Sequence, residues 1–393
     1  MFLKSVTYRN VGPLRSANIN LPFHEDGHPK PLVIVGRNGS GKSILISNIA
    51  DALVECASKA YVNVRPSLPN SRSQFFKSIS PQEITIGQNF MIMHARFDNG
   101  HEYVFKSGSL NFDDANALVG HLDSKLNWED KINHKLTTFD EADASAYLRD
   151  NVICYFGPNR YEIPSWMGNL YLNSPEASPA ISSTIRQSDT LYNQIVVQRC
   201  LDETVNWLLD VIADSRSDFT RDSDDENTYS LVHVNLQTAS LSQLTRSSIE
   251  MILSVIFGEN VYLRLNQRGS GHRRLQIASK ADEHIVCPSL KAMSTGQIAL
   301  FELFATIIRY ADNNHLGSEL LPKAIKGIVI IDEADLHLHA DLQRIAFPAL
   351  LELFSSVQFV ITTHSPLLLL GLSDKLGEDG LDDYFRFSAT SIS

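Results

Sequence analysis

Residues 36–43, GRNGSGKS, place small residues, one lysine and one hydroxyl at the spacing that holds a phosphate chain. Gly36, Asn38, Gly39 and Gly41, with Ser40 among them, let the backbone curl until successive N–H groups face an anion. Lys42 adds a point charge for the β- and γ-phosphates, and the Ser43 hydroxyl suits a Mg²⁺ ion. The apolar run 32–35 precedes this loop and a helix-like stretch from Ile44 to Leu53 follows it. Strand, glycine loop and helix in that order make a phosphate-binding P-loop.

Three later segments add chemistry to that cradle. Ile328 to Ile331 is a fully apolar run ending in Asp332 and Glu333. Acids at the tip of a buried strand are costly without a partner. A magnesium-bound water gives Asp332 one, and Glu333 then sits where a general base could polarise an attacking water. Ser294-Thr295-Gly296-Gln297 opens an amphipathic stretch over 297–310, where Leu300, Phe301, Phe304, Ile307 and Ile308 recur at helical spacing. Small residues at a helix N-terminus form a second anion site, although the same four residues could serve as a plain cap. His364 follows the apolar run 357–361, 32 residues after Asp332, and precedes Ser365-Pro366.

Two further features invite weaker readings. His337 and His339 form an HxH, which suits a structural or interface role better than a metal site. Residues 264–274 carry Arg264, Arg268, Arg273 and Arg274 around Gly269-Ser270-Gly271. They read as a solvated hairpin tip, with a phosphate or nucleic-acid contact as the alternative.

The elements that must position these groups are legible in outline. Strands are expected at 2–9, 14–21, 32–35, 152–156, 328–331 and 357–361, with a hairpin joining 90–97 to 102–107 across Asp98-Asn99-Gly100. Helices are expected from Leu191 to about Ala213, with Val197, Leu201, Val205, Leu208 and Ile212 on one face, and over 240–256. Residues 165–190 and the acid-rich 214–226 read as loops. The fold class is α/β, a P-loop nucleoside triphosphatase with a mixed-sheet nucleotide lobe (1–185 and 325–393) and an inserted helical lobe (186–324). No heptad pattern supports a long coiled coil.

Composition narrows the field further. A chain of 393 residues with 43% apolar and 20% charged residues is ordinary globular material. No apolar run reaches the roughly 18 residues that cross a bilayer, and the start MFLKSVTYRN has no export core. Cys56, Cys154, Cys200 and Cys287 are scattered and read as buried reduced thiols, which favours the cytoplasm. The net charge of −11 argues against a surface that grips nucleic acid throughout.

Taken together, the chain resembles the ABC-type ATPases of the SMC/RecF and OLD group, with a closer likeness to the ATPases of Septu and retron-associated anti-phage systems, the PtuA type. The residues that carry it are YFGPNRYEIPSW (155–166), IDEADLHLHADLQ (331–343) and FVITTHSPLLLLG (359–371). The resemblance implies an ATPase that binds ATP and Mg²⁺ and dimerises head to tail or assembles further. Ser294, Gly296 and Gln297 would then meet the γ-phosphate held by another copy's P-loop, and His364 would be the switch histidine. It also implies a partner HNH-type nuclease held in check or delivered, joined in retron versions by a reverse transcriptase and its DNA–RNA product. Where such proteins usually carry a sensing glutamine, this chain has none, so Asn159 or Arg160 would substitute. Only 29 residues follow His364, so a fused TOPRIM nuclease of the kind in OLD proteins is not expected. The alternative within the resemblance is a RecF-like DNA-repair ATPase.

Overall fold

The computed structural model describes residues 1–37, 39–64, 84–128, 133–158, 160, 190–198, 200–215, 218–221, 229–233, 236–267, 274–314, 321–376 and 385–387. Alternating burial in β1 (Leu3–Val11) and β2 (Leu14–Asn20) gives each strand one apolar face, and the two pair antiparallel through a turn at Gly12-Pro13. They join β4 (Phe90–Phe97), β5 (Glu102–Gly108) and β6 (Asn133–Thr137) in an antiparallel sheet of order β2-β1-β4-β5-β6.

A second sheet holds the chemistry. Its strands are β3 (Leu32–Gly36), β7 (Val152–Phe156), β8 (Val196–Val197), β14 (Gly327–Ile331), β15 (Val357–Thr363) and β16 (Phe385–Phe387). All its pairings are parallel, in the order β16-β3-β15-β14-β7-β8. The near-continuous apolar character of β7, β14 and β15 follows, because both faces of a parallel sheet are covered.

Period-two geometry divides the same strands between two cores. Ile34, Ile153, Ile328, Ile330 and Val360 face α1 (Lys42–Ala60) and the antiparallel sheet, with α3 (Glu141–Asp150) alongside. Val33, Cys154, Val329, Ile331, Phe359 and Ile361 face the opposite layer. That layer contains α4 (Leu201–Asp214), α5 (Leu236–Phe257), α6 (Thr295–Asn313), α7 (Phe347–Leu353) and α8 (Pro366–Leu376). The outer face of the antiparallel sheet has its own small cluster, Ile92 and Val104 under α2 (Phe112–Val119). Gln358, buried on β15, donates to Leu3 O and accepts from Leu3 N, both at 2.8 Å, tying the parallel sheet to the start of β1.

Two sequence expectations change here. The helix expected from Leu191 begins only at Leu201, and Val197, expected on its apolar face, lies in β8 at the sheet edge. The β-branched run Ile195-Val196-Val197 extends the sheet beside β7, with Val196 opposite Tyr155. The acid-rich loop contains a strand, β9 (Asp218–Arg221), paired with β10 (Tyr229–His233). The region between α4 and α6 is accordingly richer in strand than expected, since β11 (Val261–Leu265), β12 (Leu275–Ser279) and β13 (Ile285–Cys287) add an antiparallel sheet. The hairpin expected around 264–274 forms between β11 and β12, with Asn266 N donating to Arg274 O at 2.8 Å. Its tip, with Arg268 and Arg273, lies outside the described residues, as does most of the loop expected over 165–190.

Candidate functional site

Strand order determines where the chemistry converges. β15 runs between the P-loop strand β3 and the acid-tipped strand β14, all three parallel. Their carboxyl ends therefore deliver Gly36, Thr362–His364 and Asp332–Glu333 to one edge of the sheet, the edge outside which ligands bind in open parallel sheets.

The loop 36–43 turns into α1 at Gly41, the helix N-cap, with φ +99°. A Cβ at Gly41 would lie 2.9 Å from Pro13 Cγ and 3.0 Å from Leu14 Cδ2, so the loop rests directly on the β1–β2 turn. Gly39 also has positive φ, +77°, with nothing within 4 Å of where a Cβ would stand. Glycine offers no side-chain cap, so the first N–H groups of α1 remain for an anion. Lys42 is buried and its Nζ donates to Gly36 O (2.9 Å) and Arg37 O (3.0 Å). Burial pushes its pKa down, opposed by the charges of Asp332, Glu333 and Asp335. Ser43 is half-buried in the first turn of α1, and Asn38 lies outside the described residues.

Asp332 is fully buried. Its Oδ1 accepts from Thr362 Oγ1 at 2.5 Å, while its Oδ2 has no hydrogen-bond partner among the described residues. A buried carboxylate oxygen without a donor is costly, and hydrated Mg²⁺ satisfies such an oxygen. Glu333 sits at φ +51°, a left-handed conformation that costs a non-glycine residue on the order of 1–3 kcal/mol. Its N–H is held by Thr362 Oγ1 at 2.8 Å. Asp335 Oδ1 accepts from Thr363 Oγ1 (2.5 Å) and His364 N (3.1 Å), which fixes the backbone at His364.

Arg37, Glu333, Asp335, Leu336 and His364 line one open cleft of ≈ 480 Å³. The P-loop, the acid strand and the histidine strand thus share a single space. Three of its supports were not singled out in the sequence: Arg37, Asp335 as the anchor of His364, and Thr362 as the bridge between Asp332 and Glu333. The signal for Thr362 was its place opposite the acids, which only the pairing of β14 with β15 makes visible.

The segment Ser294–Gln297, expected to form a second anion site, stands apart from that lining. Ser294 caps α6 in a reciprocal box: Gln297 N donates to Ser294 Oγ (3.3 Å) and Ser294 N to Gln297 Oε1 (3.0 Å). In the single chain these residues form the plain cap that the sequence left open. Gly296 packs on the loop after Glu333, where an added Cβ would lie 2.6 Å from His337 O. His337 and His339 are exposed, and no group of three or more His, Cys, Asp or Glu suited to a metal occurs among the described residues.

Arg160 departs from the expectation that it replaces a sensing glutamine at the nucleotide. Its side chain is buried and donates to three carbonyls: Nη1 to Gly157 O (2.9 Å) and Asp332 O (2.5 Å), and Nη2 to Glu333 O (2.8 Å). Asn159 lies outside the described residues.

The fold is α/β, with the P-loop strand, the acid-tipped strand and the histidine strand side by side in one parallel sheet. A family model described as "AAA domain, putative AbiEii toxin, Type IV TA system" matches residues 207–370, from within α4 to α8. That stretch includes the acid strand and His364 but not the P-loop. The chain is 39% identical over 85 residues to a "Retron Ec83 probable ATPase" of Escherichia coli, covering 22% of this chain and 16% of that one. It is 51% identical over 43 residues to a "Retron Vc95 probable ATPase" of Vibrio cholerae, covering 11% and 8%. The chain thus matches under a fifth of the length of either relative. Among solved structures, an SMC head domain from Thermotoga maritima aligns over 94% of this chain and 92% of that chain at 14% identity, with a TM-score of 0.42. An SMC head bound to the C-terminal winged-helix domain of ScpA aligns over the same shares at 14% identity and 0.44. No helix among the described residues is long and apolar enough to cross a membrane.

Proposed function

We propose that this chain binds and hydrolyses ATP as a subunit of an anti-phage defence assembly, closing head to tail with a second copy around the nucleotide. One observation carries the catalytic part: the P-loop residue Arg37, Glu333 and His364 line the same cleft. In this reading Lys42 and the first N–H groups of α1 hold the β- and γ-phosphates. Ser43 and Asp332 would hold Mg²⁺, which would supply positive charge against the phosphate oxygens. Glu333 accepts a proton from the attacking water, and His364 contacts the γ-phosphate.

Ser294 and Gly296 of the second copy complete the site from the lobe spanning 186–324, against the nucleotide lobe of 1–185 and 325–393. That requires the Ser294–Gln297 box to exchange one internal hydrogen bond for a phosphate contact. The defence setting, in the cytoplasm, draws on the short matches to the two retron ATPases and on the motifs at 331–343 and 359–371. Its partner would be an effector nuclease, of HNH type in a Septu-like system, with a reverse transcriptase and its DNA–RNA product in a retron system.

Glu333→Gln tests the core of the proposal. Turnover of ATP should fall by a factor on the order of 10²–10⁴ while nucleotide affinity is kept. Wild-type turnover in the variant would remove Glu333 as the base. Phage protection that persists in cells lacking the adjacent genes would remove the effector partner.

A further inference from the structure

From its contacts, we infer that Arg160 is a positioning residue that sets the activity of Glu333 through the backbone without touching the nucleotide. The inference rests on the reading of Glu333 as the general base. Residues Asp332 and Glu333 straddle a sharp turn at the end of β14, and Glu333 is one of four non-glycine residues with positive φ among those described. A side chain placed this way points where its peptide groups direct it, so the hold on those groups determines where the carboxylate stands. The peptide groups around Glu333 are held by Thr362, by Arg160 and by Leu336, whose N–H donates to Glu333 O at 3.0 Å. Thr362 Oγ1 accepts from Glu333 N at 2.8 Å. Arg160 Nη1 donates to the carbonyl before it, Asp332 O, at 2.5 Å. Arg160 Nη2 donates to its own carbonyl, Glu333 O, at 2.8 Å.

The planar guanidinium matters for this task. A fork of fixed donors can bridge two successive carbonyls and reach Gly157 O as well, whereas an ammonium is a single rotatable point. Arg160 is 8% exposed and its donors face backbone oxygens, so in this structure it is an internal brace. It also joins two strands' ends: Gly157 follows β7 and Glu333 follows β14, which pair in parallel with Phe156 opposite Ile331. A change in the chain just after β7 is therefore transmitted directly to the turn that carries the base. Loss of the brace leaves Asp332 O without its guanidinium donor and Glu333 O with Leu336 N alone, which loosens the turn that carries the base. It leaves the phosphate cradle intact, because Lys42 and the α1 terminus are built from β3 and the β1–β2 turn.

The test compares Arg160→Lys and Arg160→Gln with the wild-type chain. Binding of a fluorescent ATP analogue gives affinity and the number of folded sites, and kcat is expressed per folded site. The expected result is affinity within about twofold of wild type and kcat lower by a factor on the order of 100, the scale of an ångström-sized misplacement of a catalytic group. Both variants should show it, because neither lysine nor glutamine reproduces the fork. Wild-type kcat per folded site in either variant overturns the inference, including the case where the protein is merely less stable. A parallel loss of affinity and kcat overturns it too, by making Arg160 part of the nucleotide contact. A wild-type chain that does not hydrolyse ATP would instead sink the reading of Glu333 as base, and this inference with it.

Discussion

Asp332 and Glu333 stand out in the sequence because acids after a buried apolar strand need a chemical reason, and His364 stands out by its place after a second such strand, 32 residues past Asp332. Their supports could not be found that way. Arg160 reaches carbonyls 172 and 173 residues away, and backbone oxygens leave no trace in residue type. Thr362 serves both acids only because β15 lies beside β14. A second buried polar group shows how such networks bear on stability. Glu102 on β5 pairs with His94 (3.2 Å) and Arg96 (3.7 Å) across β4 and accepts from Asp123 N. Burial alone would raise its pKa, but His94, Asp123 N–H and Arg96 together hold it below the ordinary glutamate value. Its stabilising contribution is therefore complete above the unfolded value of about 4.3 and is lost as pH falls through the lower folded value. Glu102→Gln should cost about 1–3 kcal/mol near neutral pH, and acid unfolding followed by circular dichroism should lose part of its pH dependence. An unchanged acid limb would show that Glu102 carries no such linkage.

Among the elements, the parallel strands were the most legible, because burial on both faces writes unbroken apolar runs such as Ile328 to Ile331. The start of α4 was misread for a physical reason. Val197 precedes Leu201 by four residues, so a strand residue at the sheet edge falls in phase with the helix that follows it. The packing of α8 was not legible at all. It begins two residues after His364, and its Gly371 meets the π-helical turn Leu342–Ala346 so closely that a Cβ would lie 2.2 Å from Arg344 O. Arg344 also pairs with Asp374 at 3.2 Å across that contact. Gly371→Ala should push α8 outward and destabilise the chain by about 1–3 kcal/mol, the usual cost of overpacking. Urea unfolding measures this directly; a midpoint equal to wild type would mean that the helix shifts without resistance.

At the scale of the whole molecule, the antiparallel sheet, α1, the parallel sheet and the helical layer bring the P-loop, the acid strand and the histidine strand to one sheet edge, which the proposal reads as one half of a nucleotide site. The cap at Ser294, which the resemblance assigns to the other half, is closed on itself and packed against its own His337 carbonyl. Whether two copies combine their halves is the central claim. It is tested most directly by mixing two inactive variants, Lys42→Ala, which disables the P-loop, and Ser294→Arg, which blocks the cap. In a head-to-tail pair formed from one of each, one site joins an intact P-loop to an intact cap. The account predicts that each variant alone is inactive and that the mixture regains ATP turnover, rising as the two are brought to equal amounts. A mixture as inactive as its components, at concentrations where wild type turns over, would contradict a site shared between copies.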